Sequence, residues 1–210
     1  MLNIAILRLK IVKMQEVLKQ KILREALRIV ELEGWHSQLL VESSKAASLN
    51  NNTGLLLFPG GVGELVEFFI NMIDQEMLQS FNFDEMSKMR AHEKVRYCII
   101  CRLKILNKYQ IVCEKTIQFL SMPSHLKLSI KTVWQTVDYI WRKVVHDQST
   151  DFSYYTKRMI LMAVYSSTLM YWLSDDSKDK VETISFLDRR LNDVGKIHQI
   201  KKKISSVFEH

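Results

Sequence analysis

Residues that break helices are scarce in this chain, and that scarcity limits the folds it can adopt. Its 210 residues include six glycines and two prolines, Pro59 and Pro123. A sheet with many tight turns would draw on Gly and Pro more often. The sequence is instead rich in Leu, Ile, Met, Lys and Glu, which helices tolerate or favour. We therefore predict an all-α fold, with one body large enough to enclose a full hydrophobic core.

Apolar residues recur every three or four positions along most of the chain, which is typical of helices with one buried face. The first such pattern runs from Glu16 to Leu32 and stops at Gly34. The acidic loop 174–179 is well placed to cap the start of a last helix. Between these ends, helices are expected over about 36–47, 62–81, 84–106, 110–121, 126–145 and 154–173, with a short one after a turn at 50–54.

Both ends of the chain are basic and apolar. Residues 1–14 contain no acid and form either a weak targeting presequence or a flexible, frayed start. We favour the second, because Ser richness and a small-residue cleavage site are absent. The body is then expected over 15–195. Residues 196–210 predict a basic amphipathic tail that contacts a membrane, or else packs on the body or mediates a homodimer. The membrane-contact residues would be Ile197, Ile200, Lys201, Lys202, Lys203, Ile204 and Phe208.

Charge and cysteine content restrict the partners and the compartment. The formal net charge is +7, which favours anionic partners such as nucleic acid, acidic proteins or acidic lipid headgroups. The three cysteines, Cys98, Cys101 and Cys113, are odd in number and lie in apolar helical stretches, which indicates a reducing compartment. Charged residues interrupt every long apolar run, so no membrane-spanning helix is predicted.

Two spacings resemble metal sites but lack the remaining ligands. Cys98 and Cys101 have the spacing of a zinc or redox pair, yet no second pair is present. Glu33 and His36 have the spacing found in di-iron bundles, which require a second such pair and two more glutamates. We therefore predict neither a metal nor a cofactor.

No arrangement of residues in the sequence indicates catalysis. His146, Asp147 and Asp151 could be drawn as a proton relay, but no activated nucleophile or phosphate-binding glycine loop lies nearby. Roles in a polar loop and as a helix cap suit them better. We predict that the chain is not an enzyme and has no catalytic residues.

The first three predicted helices have the form of a TetR-type helix-turn-helix. A recognition helix needs basic donors for phosphates and bases. Residues 46–62 contain neither Lys nor Arg, and the third helix ends in the apolar run 55–58. We predict a helix-turn-helix shape that does not bind nucleic acid.

Several motifs, taken in order, resemble one known family. They are Gly34-Trp35, the run LFPGG at 57–61, Asp138 with Trp141, DFSYYTKR at 151–158, AVYSST at 163–168 and FLDRR at 186–190. They are similar to the lipid-binding accessory proteins of ubiquinone biosynthesis, partners of the di-iron demethoxyubiquinone hydroxylase. The resemblance implies a TetR-like helical fold that binds an isoprenoid quinone precursor. It also implies a C-terminal helix that touches the membrane and a surface that docks the hydroxylase.

The resemblance also implies where that docking surface lies. It maps onto Asp151, Tyr154 and Tyr155, with Trp141 as a neighbour. Relatives usually carry Trp at the position of Tyr154. Tyrosine keeps an amphipathic aromatic anchor but offers less contact area, so docking would be weaker unless the partner has changed to match.

A carrier of a polyisoprenoid must offer it a continuous apolar surface. Methionine suits an irregular and flexible guest. Ordinary core packing explains the same residues equally well. The candidates for lining such a cavity are Phe68, Phe69, Met72, Met159, Met162, Tyr165 and Leu169. The expected ligand is an isoprenoid quinone intermediate or a phospholipid.

Together these features predict a non-catalytic carrier that takes a quinone intermediate at a membrane and presents it to the hydroxylase. The alternative is a TetR-like transcription regulator that senses a lipid. The carrier would be cytoplasmic and peripheral on the inner membrane of a bacterium, or on the matrix side of the mitochondrial inner membrane of a eukaryote.

Overall fold

The protein is helical throughout the part of the chain that the structure covers. A computed structural model describes the backbone of residues 2–208 and the side chains of residues 7–82 and 84–196, and it contains no strand in that range. The all-α prediction is confirmed. The α-helices are α1 (Leu2–Glu33), α2 (Leu39–Ala46), α3 (Thr53–Leu57), α4 (Gly61–Gln79), α5 (Phe83–Ser87), α6 (Ala91–Lys108), α7 (Gln110–Leu120), α8 (Leu126–Tyr139), α9 (Phe152–Ser174) and α10 (Val181–Phe208).

Shorter helical turns join some of these elements. Pro123–His125 and Lys178–Lys180 form 3-10 turns before α8 and α10. A π-helical segment, Ile140–Val145, continues from α8 and ends at His146, whose φ of 58° is left-handed. The sequence predicted one uninterrupted helix over 126–145. That prediction missed the change of winding, because no Gly or Pro marks it.

Two other predicted boundaries differ from the structure. Helix α1 begins at Leu2 and not at Glu16, since no Gly or Pro interrupts the first residues. The segment predicted as one helix over 84–106 forms α5 and α6. Asn82 caps α5 by accepting a hydrogen bond from the Asp84 amide, at 3.2 Å. Glu93 accepts one from the Arg90 amide at 2.6 Å and so begins α6 separately.

The helices group into two compact units along the chain. One comprises Met1–Met72 with Tyr109–Ser129, and the other comprises Ile73–Lys108 with Ile130–His210. Helices α4 and α8 each contribute residues to both. The units are described separately below.

The first unit contains α1 to α3, the beginning of α4, α7 and the beginning of α8. The C-terminal half of α1 buries Ile22, Ala26 and Val30 completely. Gly34 then adopts a φ of 80°, a left-handed conformation that ends the helix at low steric cost. Trp35 follows and donates a hydrogen bond to the Thr116 hydroxyl of α7 at 3.0 Å, which ties the end of α1 to α7.

Helix α3 packs closely against α2. The amide of Gly54 donates to the Ser44 hydroxyl at 2.8 Å, and that hydroxyl donates to the Leu40 carbonyl at 2.6 Å. A Cβ at position 54 would overlap the carbonyl oxygen of Leu40. Only glycine therefore permits this approach, which fixes the short third helix of the helix-turn-helix shape.

The second unit contains the end of α4, α5, α6, most of α8, the π-helical segment, α9 and α10. Its core includes the buried Trp172 of α9, whose indole donates to the Asn107 amide oxygen at 2.7 Å. Asp175 accepts a hydrogen bond from the Thr183 amide at 2.8 Å, so an acid of the 174–179 loop caps α10 as predicted. Although burial opposes ionisation, hydrogen bonds from Ser177 and Thr183 lower the pKa of Asp175 to about 2.

Two features bear on membrane contact. None of the helices in the described range is long and apolar enough to cross a bilayer. Helix α10 extends through the positions predicted to touch a membrane surface. The side chains of Ile197, Ile200, Lys201, Lys202, Lys203, Ile204 and Phe208 lie outside those the structure describes.

Candidate partner-binding site

Three aromatic side chains from α8 and α9 lie together in the second unit. The Tyr154 and Tyr155 rings are 5.0 Å apart in an edge-to-face arrangement. Trp134 of α8 lies 6.5 Å from the Tyr154 ring and 6.4 Å from the Tyr155 ring. Such pairs stabilise their mutual geometry beyond the area they bury. The trio joins the middle of α8 to the first turn of α9.

The first two turns of α9 expose a row of large apolar side chains. Phe152 is 84% exposed, Tyr155 57% and Met159 64%. Their spacing of three and four residues places them on one side of the helix. Exposed apolar surface of this kind, next to an aromatic cluster, is typical of a protein interface. We refer to Phe152, Tyr155 and Met159 as the α9 face.

The buried Arg158 holds the ring of Tyr154, which packs against Tyr155 of the α9 face. Arg158 is inaccessible to solvent, and its Nε donates to Asp138 at 2.7 Å. Its Nη1 donates to Asp147 at 3.1 Å, and its Cζ lies 3.5 Å from the centre of the Tyr154 ring. The Tyr154 hydroxyl donates to the same Asp138 oxygen at 3.1 Å. One guanidinium thus fixes α8, the following loop and α9 to one another.

The loop between the π-helical segment and α9 is held by Asp147. Its carboxylate accepts hydrogen bonds from the Lys157 ammonium at 2.8 Å and the Ser149 hydroxyl at 2.7 Å, besides the one from Arg158. Burial alone would raise the pKa of this carboxyl, but these hydrogen bonds outweigh burial and lower the pKa well below its usual range. Asp147 is therefore ionised at neutral pH and forms a buried charge cluster with Lys157 and Arg158.

Asp151 begins α9 and remains exposed. Its carboxylate accepts from the Ser153 amide at 3.2 Å and the Ser153 hydroxyl at 2.6 Å, as an N-cap does. The hydrogen bonds from Ser153 lower the pKa of Asp151. The cap role expected for Asp151 is confirmed. It also places an anionic group beside the α9 face.

Trp141 lies on the π-helical segment and is half-buried. The Lys157 ammonium is 5.7 Å from the centre of the Trp141 ring, and the Trp141 carbonyl accepts from the Asp147 amide at 2.9 Å. Its indole Nε1 is buried without a hydrogen-bond partner. π-Helical turns are frequent at functional sites.

The structure therefore assembles the four residues expected to bind a partner, Trp141, Asp151, Tyr154 and Tyr155, around the start of α9. Their function in binding stays a prediction. The sequence did not indicate Trp134, Phe152 or Arg158 as members. Phe152 and Met159 could have been found from their helical spacing relative to Tyr155. The partners of Arg158 could not, since they lie 11 and 20 positions away.

The residues expected to line a lipid cavity fall in both units. Phe68, Phe69 and Met72 belong to the first unit, and Met159, Met162, Tyr165 and Leu169 belong to the second. Phe69 is buried between Trp35 and Tyr109, at ring distances of 6.3 and 5.9 Å. Phe68, Met72, Met162 and Leu169 are half-buried. Met159 is exposed on the α9 face. It therefore does not line an enclosed cavity, contrary to the expectation from the sequence.

Tyr165 belongs to a second buried polar network, in the core of the second unit. Its hydroxyl accepts from Arg102 Nε at 2.7 Å, and Arg102 also pairs with Asp74. The Thr136 hydroxyl donates to the other Asp74 oxygen at 3.0 Å. Burial raises the pKa of Asp74, and this outweighs the lowering by Arg102 and Thr136. No spacing in the sequence indicates this network, because its members lie on four different helices.

The cysteines are free thiols. Cys98 is fully buried, and burial raises the pKa of its thiol to about 12, with the neighbouring Cys101 adding to the rise. A thiol of that kind is a poor nucleophile at neutral pH. Among the residues whose side chains are described, the cysteines belong to no group of three or more metal-binding side chains.

Comparison with known proteins gives a consistent result over nearly the whole chain. Residues 126–198 match the COQ9 family model. The mitochondrial ubiquinone biosynthesis protein COQ9 of Rattus norvegicus is 26% identical over 202 residues, covering 93% of this chain and 64% of that protein. The Homo sapiens protein is also 26% identical over 202 residues, covering 93% of this chain and 63% of that protein.

The chain is similar to the COQ9 proteins. It spans less than two thirds of the length of the rat and human proteins. A probable ubiquinone biosynthesis protein coq9 of Dictyostelium discoideum is 28% identical over 193 residues, covering 89% of this chain and 62% of that protein. The match to the COQ9 family model contains α8, α9 and the whole aromatic trio, but none of the helix-turn-helix shape.

The fold itself is shared with a bacterial regulator. A crystal structure of the TetR transcriptional regulator from Nitrosomonas europaea ATCC 19718 superposes with a TM-score of 0.66, at 19% identity. The match covers 83% of this chain and 96% of the regulator. The expected TetR-like fold is confirmed.

Proposed function

We propose that this protein acts with the COQ9 proteins it resembles, as a non-catalytic accessory protein of ubiquinone biosynthesis. It binds an isoprenoid quinone intermediate at a membrane surface and presents it to the di-iron demethoxyubiquinone hydroxylase. One observation supports this above the others: the segment that matches the COQ9 family model contains the exposed α9 face and the residues that hold it in place. The relatives named for ubiquinone biosynthesis also match 93% of the chain.

The chemistry of the site fits a protein partner better than a small substrate. The α9 face offers aromatic and methionine side chains to an incoming surface, with the anionic Asp151 at its edge. Aromatic anchors with a charged rim are the usual composition of a protein interface. The charged groups beneath the face are already paired with one another and hold the aromatic groups in place. The hydroxylase would therefore dock on α9.

Positive charge and apolar side chains support binding to a membrane and to a lipid. The net charge of +7 favours anionic lipid headgroups. The basic C-terminal sequence is the expected contact, and the apolar residues of α4 and α9 are the candidates for holding the prenyl chain. The relatives named above are mitochondrial proteins. The proposed location is the matrix side of the inner membrane in a eukaryote, or the cytoplasmic side in a bacterium.

A lipid-sensing TetR-like regulator is the second candidate, favoured by the shared fold. The composition of α3 opposes it. Leu55 and Leu56 are the exposed large side chains of that helix, and residues 46–62 contain no Lys or Arg. A recognition helix without cationic donors lacks the main source of affinity for phosphates.

Lipid binding is tested on protein purified from its native membrane. Lipids extracted from the purified chain are identified by mass spectrometry, and we expect a prenylated benzoquinone intermediate. A preparation that carries no prenylated ring, and that takes none up from vesicles, would contradict the carrier function.

Docking is tested by reversing the charge beside the α9 face. Asp151→Lys should abolish co-purification of the hydroxylase while lipid binding survives. Asp176→Lys is the matched control, because it makes the same charge reversal at an exposed aspartate in the loop after α9. Unchanged co-purification of Asp151→Lys, or equal loss with the control, would remove the docking assignment.

A further inference from the structure

Three side chains with metal-binding atoms meet where α1 ends in the first unit. Glu33 is the last residue of α1, His36 follows after the turn at Gly34, and Glu42 lies on α2. One ligand atom from each lies within 4.8 Å of the others. The spacing of Glu33 and His36 is visible in the sequence. Glu42 is not an obvious third ligand there, because α2 comes back against α1 only in the fold.

The distances within this group suit a bound ion. His36 Nε2 lies 3.4 Å from a Glu42 carboxylate oxygen and 3.7 Å from a Glu33 oxygen. Two ligands at roughly 2.0–2.1 Å from a tetrahedral zinc ion are about 3.4 Å apart. The histidine nitrogen therefore lies at nearly the separation from each carboxylate that one shared metal requires, and the ligand atoms of the two glutamates lie within 4.8 Å of each other.

The nitrogen of His36 that faces the two carboxylates is buried without a hydrogen-bond partner. His36 Nε2 lies near Glu33 and Glu42 but makes no hydrogen bond to either. In the tautomer that carries its proton on Nδ1, Nε2 offers a lone pair to a metal ion. A metal ion at that point would give the nitrogen and both carboxylates a partner.

The end of α1 adds to the negative potential. The last turn of the helix carries Glu31 and Glu33 and no basic residue. Helix C-termini have unpaired carbonyls and a partial negative charge, so acidic residues there are unfavourable without a cation nearby. Lys115 of α7 approaches the chain just after this turn, with its Cδ 3.7 Å from the position of a Cβ on Gly34.

We propose that Glu33, His36 and Glu42 bind a divalent transition-metal ion, with Zn²⁺ as the best fit, and water as the fourth ligand. Imidazole with two carboxylates favours zinc over magnesium or calcium, which prefer an all-oxygen set. The ion would tie the end of α1 to α2 and so stiffen the helix-turn-helix shape. This structural role is separate from the docking function proposed for α9.

Zinc titration of the full chain tests the site. Chelator-treated protein is titrated with zinc chloride by calorimetry, and we expect one ion per chain. His36→Gln and Glu42→Gln should each weaken binding by at least about 100-fold, since even indirect partners of metal ligands contribute about 10–100-fold. Zinc should also raise the Tm of the wild type but not of either variant.

Two control variants exclude other zinc ligands. Glu31→Gln removes a carboxylate from the same turn of α1, and Cys101→Ser removes a half-exposed thiol; both should bind zinc as the wild type does. If circular dichroism shows that His36→Gln does not fold, the zinc affinity of Glu42→Gln tests the proposal by itself. Absence of zinc binding by the wild type, or equal affinity in the Glu42→Gln variant, would overturn the proposal.

Discussion

Two surfaces of this protein expose large apolar side chains, and they differ in what lies beneath them. On α3 the exposed residues are Leu55 and Leu56, carried by a helix of five residues. On α9 they are Phe152, Tyr155 and Met159, on a helix of 23 residues. The two surfaces are alike in their exposure. They differ in the contacts that hold their side chains in place.

The α3 surface is held by backbone packing, and the α9 face by charge. Gly54 brings α3 against the Leu40 carbonyl of α2 with no space for a side chain. Beneath the α9 face, Arg158 joins two carboxylates and stacks on Tyr154. Packing at Gly54 fixes where α3 lies but presents only aliphatic groups. The charged network fixes aromatic side chains in set orientations, as a specific interface requires.

The largest expected effect is the loss of Arg158. Arg158→Met removes the guanidinium, so Asp138 and Asp147 each lose a hydrogen-bonded cationic partner. Removing one side of a buried charge cluster costs about 3–5 kcal/mol of unfolding free energy. Urea denaturation of the wild type and Arg158→Met measures this. A loss below about 1 kcal/mol would show that the network does not support the α9 face.

The corresponding change at α3 is Gly54→Ala. The added methyl group would overlap the backbone of α2, and overpacking of this kind costs about 1–3 kcal/mol. Helix α3 should shift or fray, while hydroxylase binding should be unaffected because α9 keeps its support. Denaturation and pull-down of the same protein give both readouts. Reduced hydroxylase capture by folded Gly54→Ala would contradict the distinction between the two surfaces.

Asp147 predicts how the α9 support depends on pH. Because its pKa is lowered in the folded protein, its contribution is present above the unfolded value of about 3.9 and is lost as pH falls toward the folded pKa. Asp147→Asn should cost about 2 kcal/mol at pH 7, in the range of charged hydrogen bonds. Urea titrations from pH 7 to pH 3 should show that the difference in unfolding free energy between the wild type and Asp147→Asn decreases below pH 4. A gap that stays constant over this range would contradict the assignment.

The smallest effect on stability, and the most selective one on binding, is expected at the exposed residues. Leu56→Ala should change the unfolding free energy by less than about 0.5 kcal/mol, as exposed substitutions usually do. Tyr155→Ala should lower it by about 1 kcal/mol, because the variant loses the ring contacts to Trp134 and Tyr154. Tyr155→Ala should weaken hydroxylase binding by about 2 kcal/mol, as at an interface anchor, and Leu56→Ala should leave it unchanged. Calorimetric titration of both variants compares the two. Equal affinities of the two variants for the hydroxylase would contradict the assignment of docking to the α9 face.

Local patterns in the sequence predicted most of the helices, the end of α1 at Gly34, and the capping roles of Asp151 and of the acidic loop. Most of these features depend on residues within a turn of one another, and the cap of α10 joins residues eight positions apart. The charged networks were not predictable, because Asp74 and Arg102 are 28 positions apart and Asp138 and Arg158 are 20 apart. The π-helical segment was missed because no residue type marks such a change of winding.

Resemblance, and not spacing, indicated where the docking residues lie. It selected Tyr154 and Tyr155, and the fold then added Trp134 on α8 and the exposed Phe152. Met159 was expected to line a cavity because methionine suits a lipid guest. In the structure it is exposed, because the opposite side of α9 is the buried one. That choice is made by packing against other helices, which a single sequence does not reveal.

Hydrogen–deuterium exchange of the whole chain, with and without the purified hydroxylase, tests the central claim most directly. The account predicts slower exchange on binding in residues 134–160, which contain the end of α8 and the α9 face, and unchanged exchange in residues 39–57. Protection of residues 39–57 without protection of 134–160, or no protection in either region at saturating hydroxylase, would contradict it.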